Sequence, residues 1–170
     1  MVKIEKLQKE DIEAVSRIEA AAFSMPWSAK DFEQLLEDEK SLYLVAKIED
    51  EVVGCCGVTI VCGEGNINNV VVDEAYRGQG IAFAMMQELL NQGRQQGSVE
   101  FTLEVRVSNA PAIHLYEKLG FVSEGIRPRF YERPVEDAMI MWIRHRAWPS
   151  ASRRTRKSFR NSHSHGSLDS

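Results

Sequence analysis

The sequence has few cysteines, and their spacing suits neither cross-linking nor metal binding. Cys55, Cys56 and Cys62 are an odd number within eight positions and form no C-x-x-C pair. Disulfide frameworks use even sets of cysteines, and zinc sites use closely spaced pairs. We therefore expect neither disulfides nor a metal site, which is typical of a protein in a reducing cytosol.

Long apolar runs are also missing. The longest stretch without a charged residue, 52–63, has twelve residues including three glycines. A membrane-spanning helix needs about 20 apolar residues. The N-terminal residues alternate charged and apolar side chains instead of forming the apolar core of a secretory signal. We therefore expect no membrane partner and a cytoplasmic location.

What is present is typical of one folded domain. The chain has 170 residues, of which 44% are hydrophobic and 27% charged, and single domains cluster at roughly 100–150 residues. Residues 149–170 are rich in Ser and Arg and lack apolar periodicity. We predict a folded domain over 1–148 and a disordered basic tail over 149–170. Contact of this tail with RNA or the ribosome is an alternative to a purely solvated role.

Charge is divided unevenly between these two parts. The chain carries −4, whereas the tail has five basic side chains and one acidic one, so it carries +4 and the domain −8. An acidic domain repels the phosphates of nucleic acids and attracts cationic partners. Basic peptides are therefore plausible substrates, and DNA is not.

Apolar spacing changes repeatedly between the helical and strand periods. Helical spacing occurs over 12–22, after Ser28, over 80–90 and over 111–119, and strand patterns occupy 42–46, 52–61, 67–72, 99–107, the residues from 121 onward and 138–143. The strands within 42–72 are expected to form an antiparallel meander. Helices inserted among strands indicate one mixed sheet of the α/β or α+β class.

Residues 67–83, INNVVVDEAYRGQGIAF, join an apolar strand to a glycine-rich loop that opens a helix. The first amides of a helix lack intrahelical acceptors, and glycines let an anion approach the backbone closely. The loop contains no GK[ST], and Phe83 replaces the last glycine of the dinucleotide pattern GxGxxG. Alone, the loop would equally suit a structural turn; with a ligand, amides from Gly78 to Phe83 would ring a pyrophosphate.

Further residues give this loop a specific resemblance. Val72, Arg77, Gly80 and Ala82 fit V-x4-[RQ]-x2-G-x-[GA], which resembles the loop that holds the pyrophosphate of acetyl-coenzyme A in the GNAT superfamily of acetyltransferases. The segment LEVRVSNAPAIHLYEKLGF at 103–121 is similar to the signature of protein N-terminal acetyltransferases, in particular the bacterial ribosomal-protein alanine N-acetyltransferases. Segments 18–28 and 127–141 resemble their substrate loop and closing hairpin, so the resemblance covers residues 1 to about 145.

The resemblance implies a fold and a cosubstrate site. The GNAT fold is a central mixed, mostly antiparallel sheet of about seven strands flanked by about four helices. The strand before the loop is splayed from its neighbour, and its free backbone groups bind pantetheine. No metal is implied. The residues expected to bind acetyl-coenzyme A are Val70, Val71, Val72, Arg77, Gly78, Gln79, Gly80, Ile81, Ala82, Phe83 and Asn109.

The resemblance also implies two catalytic residues. Glu104 would be the base that accepts the amine proton, with an ion pair to Arg106 as the structural alternative. Tyr116 would protonate the departing thiolate; its alternative is a core position on the helix that Ser108 or Asn109 caps. Asn109 would hydrogen-bond pantetheine. We expect the carboxylate and the phenol to point to the same side of the molecule, with the thioester between them.

The implied substrate is the N-terminal alanine of a small-subunit ribosomal protein. We expect Phe23, Pro26, Trp27 and Tyr131 to surround the entering N-terminus, or else to be local core. An α-amino group of pKa roughly 7.8 is far easier to deprotonate than a lysine of pKa roughly 10.4. Acetylation of lysine or small-molecule amines, and a non-catalytic acyl-coenzyme A-binding subunit, remain the alternatives.

Overall fold

Seven strands and four α-helices account for most of residues 1–144, the part of the chain that the computed structural model describes. The strands are β1 (Val2–Lys6), β2 (Ser41–Ile48), β3 (Glu51–Val61), β4 (Glu64–Val72), β5 (Glu100–Arg106), β6 (Val122–Tyr131) and β7 (Glu136–Ile143). The helices are α1 (Ile12–Ala22), α2 (Ala29–Leu36), α3 (Ile81–Gln95) and α4 (Ala110–Lys118). The predicted tail at 149–170 lies outside the described residues, so its disorder stays a prediction.

All seven strands join one sheet in the order β1-β2-β3-β4-β5-β7-β6. Every neighbouring pair is antiparallel except β4 and β5, which run parallel. This confirms the predicted mixed, mostly antiparallel sheet and the meander of β2 to β4. Strand β1 was not anticipated, because it lies at the sheet edge and none of its five side chains is fully buried, so no apolar run marks it.

Side-chain caps in the local sequence define where two of the helices begin. The Ser28 hydroxyl accepts from the Asp31 amide at 3.2 Å, and the Asp31 carboxylate accepts from the Ser28 amide at 2.8 Å, which is a capping box at the start of α2. At α4 the cap is Asn109, whose side-chain oxygen accepts from the amide of Ala112 at 3.2 Å. The choice between Ser108 and Asn109 is thereby resolved.

Helices cover the sheet on both sides and define two cores. On the α3 face, α3 and α4 bury a cluster that includes Met85, Leu103 and Phe121. On the α1 face, α1 and α2 bury a second cluster that includes Val15 and Phe32. Each large apolar side chain that becomes fully buried stabilises the fold by roughly 1.5–3 kcal/mol, so both helix layers are firmly attached.

Strands β4 and β5 separate partway along their length. They pair only from Glu64 opposite Glu100 to Asn66 opposite Thr102. Beyond this point β4 continues to Val72 and β5 to Arg106 without pairing to each other. Within residues 1–144 no other strand takes this edge of β4. The result is an opening through the sheet, bordered by free backbone groups, as the resemblance implies.

A bulge lies in β4 beside this opening. The pairing of β3 with β4 slips between Cys55 and Gly57, and in the opposing segment Asn69 adopts a φ of 53°. Asparagine tolerates this left-handed conformation better than most residues. The bulge bends β4 where the two strands part, and it helps to keep the opening in place.

Candidate active site

A cavity of about 840 Å³ lies at the opening, mostly on the α3 face but reaching Ala22 of α1, within the size range of small-molecule sites. It brings together all but one of the residues predicted to bind acetyl-coenzyme A. Those that line it are Val70, Val71, Val72, Arg77, Gly78, Gly80, Ile81, Ala82, Phe83 and Asn109. The exception is Gln79, whose side chain is exposed at the loop surface.

The glycine loop has the backbone that anion binding requires. Gly78 and Gly80 have φ values of 79° and 76°, and a Cβ on either would meet nothing within 4 Å. Glycine is therefore needed for the backbone angle and not for space. Arg77 donates its Nε to the carbonyl of Val72 at 3.2 Å, which holds the loop against the end of β4. The first amides of α3, which lack intrahelical acceptors, follow directly.

Helix α4 supplies the opposite wall. Tyr116 is fully buried, lines the cavity and packs against Phe121 with ring centroids 5.9 Å apart. The side-chain oxygen of Asn109 is engaged in the helix cap, so its amide nitrogen is the group that it offers to a ligand. This wall therefore presents a phenol and an amide to whatever occupies the cavity.

Glu104 is a buried carboxyl at the middle of β5. It is 6% exposed. Burial raises its pKa to about 7, the positive charge of Arg127 partly opposes this rise, and Glu64 adds to it. A carboxylate with such a pKa can accept a proton near neutral pH. The salt bridge found for Arg106 is with Glu136, at 3.3 Å, and not with Glu104.

Glu104 and Tyr116 lie on opposite faces of the sheet, and the expectation that they point to the same side is wrong. Leu103 and Val105 pack in the α3-face cluster together with Tyr116. Side chains alternate along a strand, so Glu104 points to the α1 face. The two groups can reach one acetyl group only through the opening between β4 and β5.

None of the predicted peptide-binding residues lines the cavity, although Ala22, which directly precedes Phe23, does. Phe23 is buried at the end of α1, and the ring of Trp27 lies 5.5 Å from that of Phe32. Pro26 is exposed in the loop between α1 and α2. Tyr131 is buried at the end of β6. These residues flank the α1 face, which is the face that Glu104 shares, from two sides.

Several lining residues were not predicted. Helix α4 contributes a row that faces the cavity, the 3₁₀ turn before the loop adds one residue, and the end of α1 adds another; these are Ala22, Tyr76, Pro111, Ala112, His114, Leu115 and Lys118. The signal was present, because Pro111, His114, Leu115 and Lys118 recur at spacings of three and four along the helix. His114 and Lys118 are basic groups one turn apart, suited to the rim of a phosphate site.

Glu19 was also missed. It lies seven residues after Ile12 and four after Val15, on the buried stripe of α1, and it is 1% exposed. Its Oε1 accepts from the side-chain amide of Asn69, in the bulge, and from the backbone amide of Trp27 at 3.1 Å. Burial raises its pKa to about 7. This carboxyl joins the bulge of β4 to the loop between α1 and α2.

The cysteines do not take part in the site. Cys55 and Cys56 are buried in the sheet, and Cys62 is exposed beyond β3. Burial raises the pKa of the Cys55 thiol to about 12, so it stays protonated and poorly nucleophilic at neutral pH. None of the three lines the cavity.

Two features are absent from residues 1–144. No group of three His, Cys, Asp or Glu side chains there is arranged to hold a metal ion. No helix in the same range is long and apolar enough to cross a membrane.

Comparison with known proteins matches this geometry. The family model described as the acetyltransferase (GNAT) family matches residues 12–121. The ribosomal protein bS18-alanine N-acetyltransferase of Escherichia coli K12 is 34% identical over 83% of this chain and 96% of its own. A Bacillus subtilis protein provisionally given the same name is 36% identical over 82% of this chain and 93% of its own. The crystal structure of the Escherichia coli ribosomal-protein-S18-alanine N-acetyltransferase superposes with a TM-score of 0.79 at 32% identity, over 88% of this chain and 97% of that one.

Proposed function

The chain belongs to the acetyltransferase (GNAT) family, and we propose that it acetylates the N-terminal α-amino group of a protein whose first residue is alanine. Its relatives are named for the alanine of ribosomal protein bS18, which supports a ribosomal protein as the partner. The observation that carries the proposal is the opening between β4 and β5, with most of the cavity on one face of the sheet and Glu104 on the other.

Acetyl-coenzyme A, which supplies a thioester, would occupy this cavity, whose lining offers groups for both its pyrophosphate and its pantetheine arm. Amides of residues 78–83 would bind the pyrophosphate, because they combine left-handed glycines with a helix N-terminus. The free backbone groups of Val70 to Val72 would pair with the pantetheine arm, as a strand partner would. Asn109 would donate its amide to the same arm. Lys118 would contribute positive charge at the rim, and His114 would offer a ring nitrogen beside it.

The two faces divide the chemistry between them. The protein N-terminus enters on the α1 face, and Glu104 accepts its proton, directly or through one water. The amine then attacks the acetyl carbon through the opening. Tyr116, on the α3 face, protonates the departing sulfur. The amine attacks from one face and the thiolate leaves on the other. The base and the acid are therefore different residues, and neither has to change its role.

The basicity of the amine favours an N-terminus over lysine. At pH 7 roughly 10% of an α-amine is neutral, and the fraction for lysine is several hundredfold smaller. A single carboxylate with a pKa of about 7 is well matched to the first amine. The acidic domain adds attraction for a basic partner such as a ribosomal protein.

Mass spectrometry of peptides after incubation with acetyl-coenzyme A tests the proposal. The panel contains an Ala-initiated hexapeptide, the same peptide with its N-terminus blocked and one internal lysine, and a polyamine. We expect a single acetyl group on the free N-terminus, formed about 100-fold more slowly by Glu104→Gln. Acetylation of lysine or polyamine alone would contradict the proposed substrate, and tight cofactor binding without any transfer would indicate a binding subunit.

A continuous assay of thiol release requires one precaution. Cys62 is exposed and would react with thiol reagents, so the assay uses Cys62→Ser as its background. This variant should transfer acetyl at the rate of the unaltered protein, because Cys62 lies outside the cavity.

A further inference from the structure

Arg106 ties the turn between β6 and β7 to the strand that carries Glu104. It lies two residues after Glu104 on β5 and therefore shares its face of the sheet. Its Nη1 donates to the carbonyl of Pro134 at 3.0 Å, and its Nη2 donates to the carbonyl of Glu132 at 3.1 Å. The guanidinium carbon lies 4.4 Å from the ring centroid of Tyr131. One side chain thus fixes both the turn and the aromatic residue that precedes it.

The contacts of Arg106 extend to the cofactor side of the sheet. Its Nη1 also donates to Oε1 of Glu136 at 3.3 Å. The other oxygen of that carboxylate accepts from the backbone amide of Ser108 at 2.7 Å. Ser108 directly precedes Asn109, which lines the cavity. The turn on the peptide side and the helix start on the cofactor side are therefore linked through Arg106 and Glu136.

The geometry of these contacts is specific to arginine. A planar fork of donors reaches two carbonyls and a carboxylate while its flat face stacks on a ring. A lysine keeps the charge but supplies a single ammonium that cannot span the same acceptors. Arg106 is buried to the extent that only 9% of it is exposed, so its hydrogen bonds are little weakened by water.

A second arginine provides a matched comparison. Arg144 pairs with Glu100 at 3.3 Å and with Glu124 at 2.7 Å, and its guanidinium carbon lies 4.1 Å from the ring centroid of Trp142. Like Arg106, it connects β5 to the β6–β7 pair and packs on an aromatic ring, but its acceptors are two carboxylates, and its partner on β5 is Glu100, four residues before Glu104. Replacing Arg144 therefore shows what a general loss of stability in β5 to β7 does, and replacing Arg106 shows in addition the effect of a change next to Glu104.

We propose that Arg106 is a positioning residue for the protein substrate: it holds the β6–β7 turn and Tyr131 beside Glu104, so that an entering N-terminus meets the carboxylate. This inference rests on the proposed function. Arg106 contacts neither the cavity nor the thioester, and it acts through Tyr131 and the turn. The hydrogen bond from Ser108 to Glu136 does not involve Arg106, so replacing Arg106 should weaken peptide binding and leave acetyl-coenzyme A binding unchanged.

Steady-state kinetics with an Ala-initiated peptide test this inference. Arg106→Met keeps the side-chain stem, Arg106→Lys keeps the charge, and Arg144→Met is the control. We expect Arg106→Met to raise the peptide KM about tenfold, Arg106→Lys to raise it about threefold, and Arg144→Met to change it less than about twofold, as expected for loss of charge-assisted hydrogen bonds. Calorimetry should give the same acetyl-coenzyme A Kd for all of them, within about twofold.

Three results would overturn the inference. They are an unchanged peptide KM in both Arg106 variants, an equal rise in Arg144→Met, or a parallel loss of acetyl-coenzyme A affinity. If Arg106→Met does not fold, Arg106→Lys decides by the same criteria. If both Arg106 variants keep the normal peptide KM and the unaltered protein is active, only the positioning role is refuted. An unaltered protein that acetylates no N-terminus would remove the proposed function, and the positioning role with it.

Discussion

Acetyl transfer should depend steeply on pH below 7, and Glu104→Gln should remove one of the two ionisations responsible. Burial raises the pKa of Glu104 to about 7, and the α-amine of a free peptide has a pKa of roughly 7.8. Only the ionised carboxylate can accept a proton, and only the neutral amine can attack. The product of these two fractions therefore sets kcat/KM.

The magnitude follows from these two values. Between pH 6 and pH 7 the ionised fraction of Glu104 rises about fivefold, and the neutral fraction of the amine rises about ninefold. The unaltered protein should therefore gain about 50-fold in kcat/KM over this interval, and Glu104→Gln only about ninefold. At pH 8 the variant should be slower by about 100-fold or more, which is the usual contribution of a general base.

The assay measures kcat/KM for one Ala-initiated peptide from pH 5.5 to 8.5, with circular dichroism at each pH to confirm the fold. Glu117→Gln, an exposed change on α4, is the control and should retain the steep profile. The positive charge of Arg127 lowers the pKa of Glu104, so Arg127→Gln should move the midpoint to higher pH. Parallel profiles for the unaltered protein and Glu104→Gln would refute the assignment of the base.

Three other changes probe the cavity and the buried carboxyl of α1. Tyr116→Phe should lower kcat about 100-fold with an unchanged acetyl-coenzyme A Kd, since only the proton donor is lost; full activity would remove Tyr116 from its role. Gly80→Ala should lower the free energy of unfolding by about 1–2 kcal/mol because of the positive φ, and it should also weaken acetyl-coenzyme A binding. Its control is Gly97→Ala, which has a φ of 98° and equally free space around the added Cβ. This control should lower the melting temperature without changing acetyl-coenzyme A binding. In the folded protein the pKa of Glu19 is about 7, raised above its ordinary value of 4.5. The contribution of its protonated carboxyl to the free energy of unfolding is therefore complete below pH 4.5 and is lost as the pH rises through 7. Urea unfolding should therefore show Glu19→Gln to be more stable than the unaltered protein by about 3 kcal/mol at pH 8, and hardly more stable at pH 4. An increase in the free energy of unfolding that does not depend on pH would contradict the buried charge.

The cofactor side of the site could be predicted because its signals are local. The glycines of the loop are required by backbone angles at Gly78 and Gly80, and the helix that follows begins immediately. Strand, loop and helix are contiguous in the chain, so one stretch of sequence specifies their geometry. Asn109 and Tyr116 likewise share a face of one helix, which their spacing of seven predicts.

The relation between the two faces could not be predicted, because it depends on which strands are neighbours. The alternation along β5 shows that Glu104 and Leu103 point apart, but only the parallel pairing with β4 and the α4 cover identify which face holds the cavity. For the same reason, an ion pair with Arg106 was the structural alternative for Glu104. The actual partners of Arg106 lie about 30 residues further along the chain, in a turn that no local pattern connects to β5.

A crystal structure with coenzyme A and an Ala-initiated peptide bound tests the central claim most directly. We predict pyrophosphate oxygens within hydrogen-bond distance of the amides of residues 78–83, the sulfur in the opening beside Tyr116, and the peptide nitrogen on the α1 face beside Glu104. A nucleotide bound elsewhere, or a peptide amine on the same face as the sulfur and out of reach of Glu104, would contradict it.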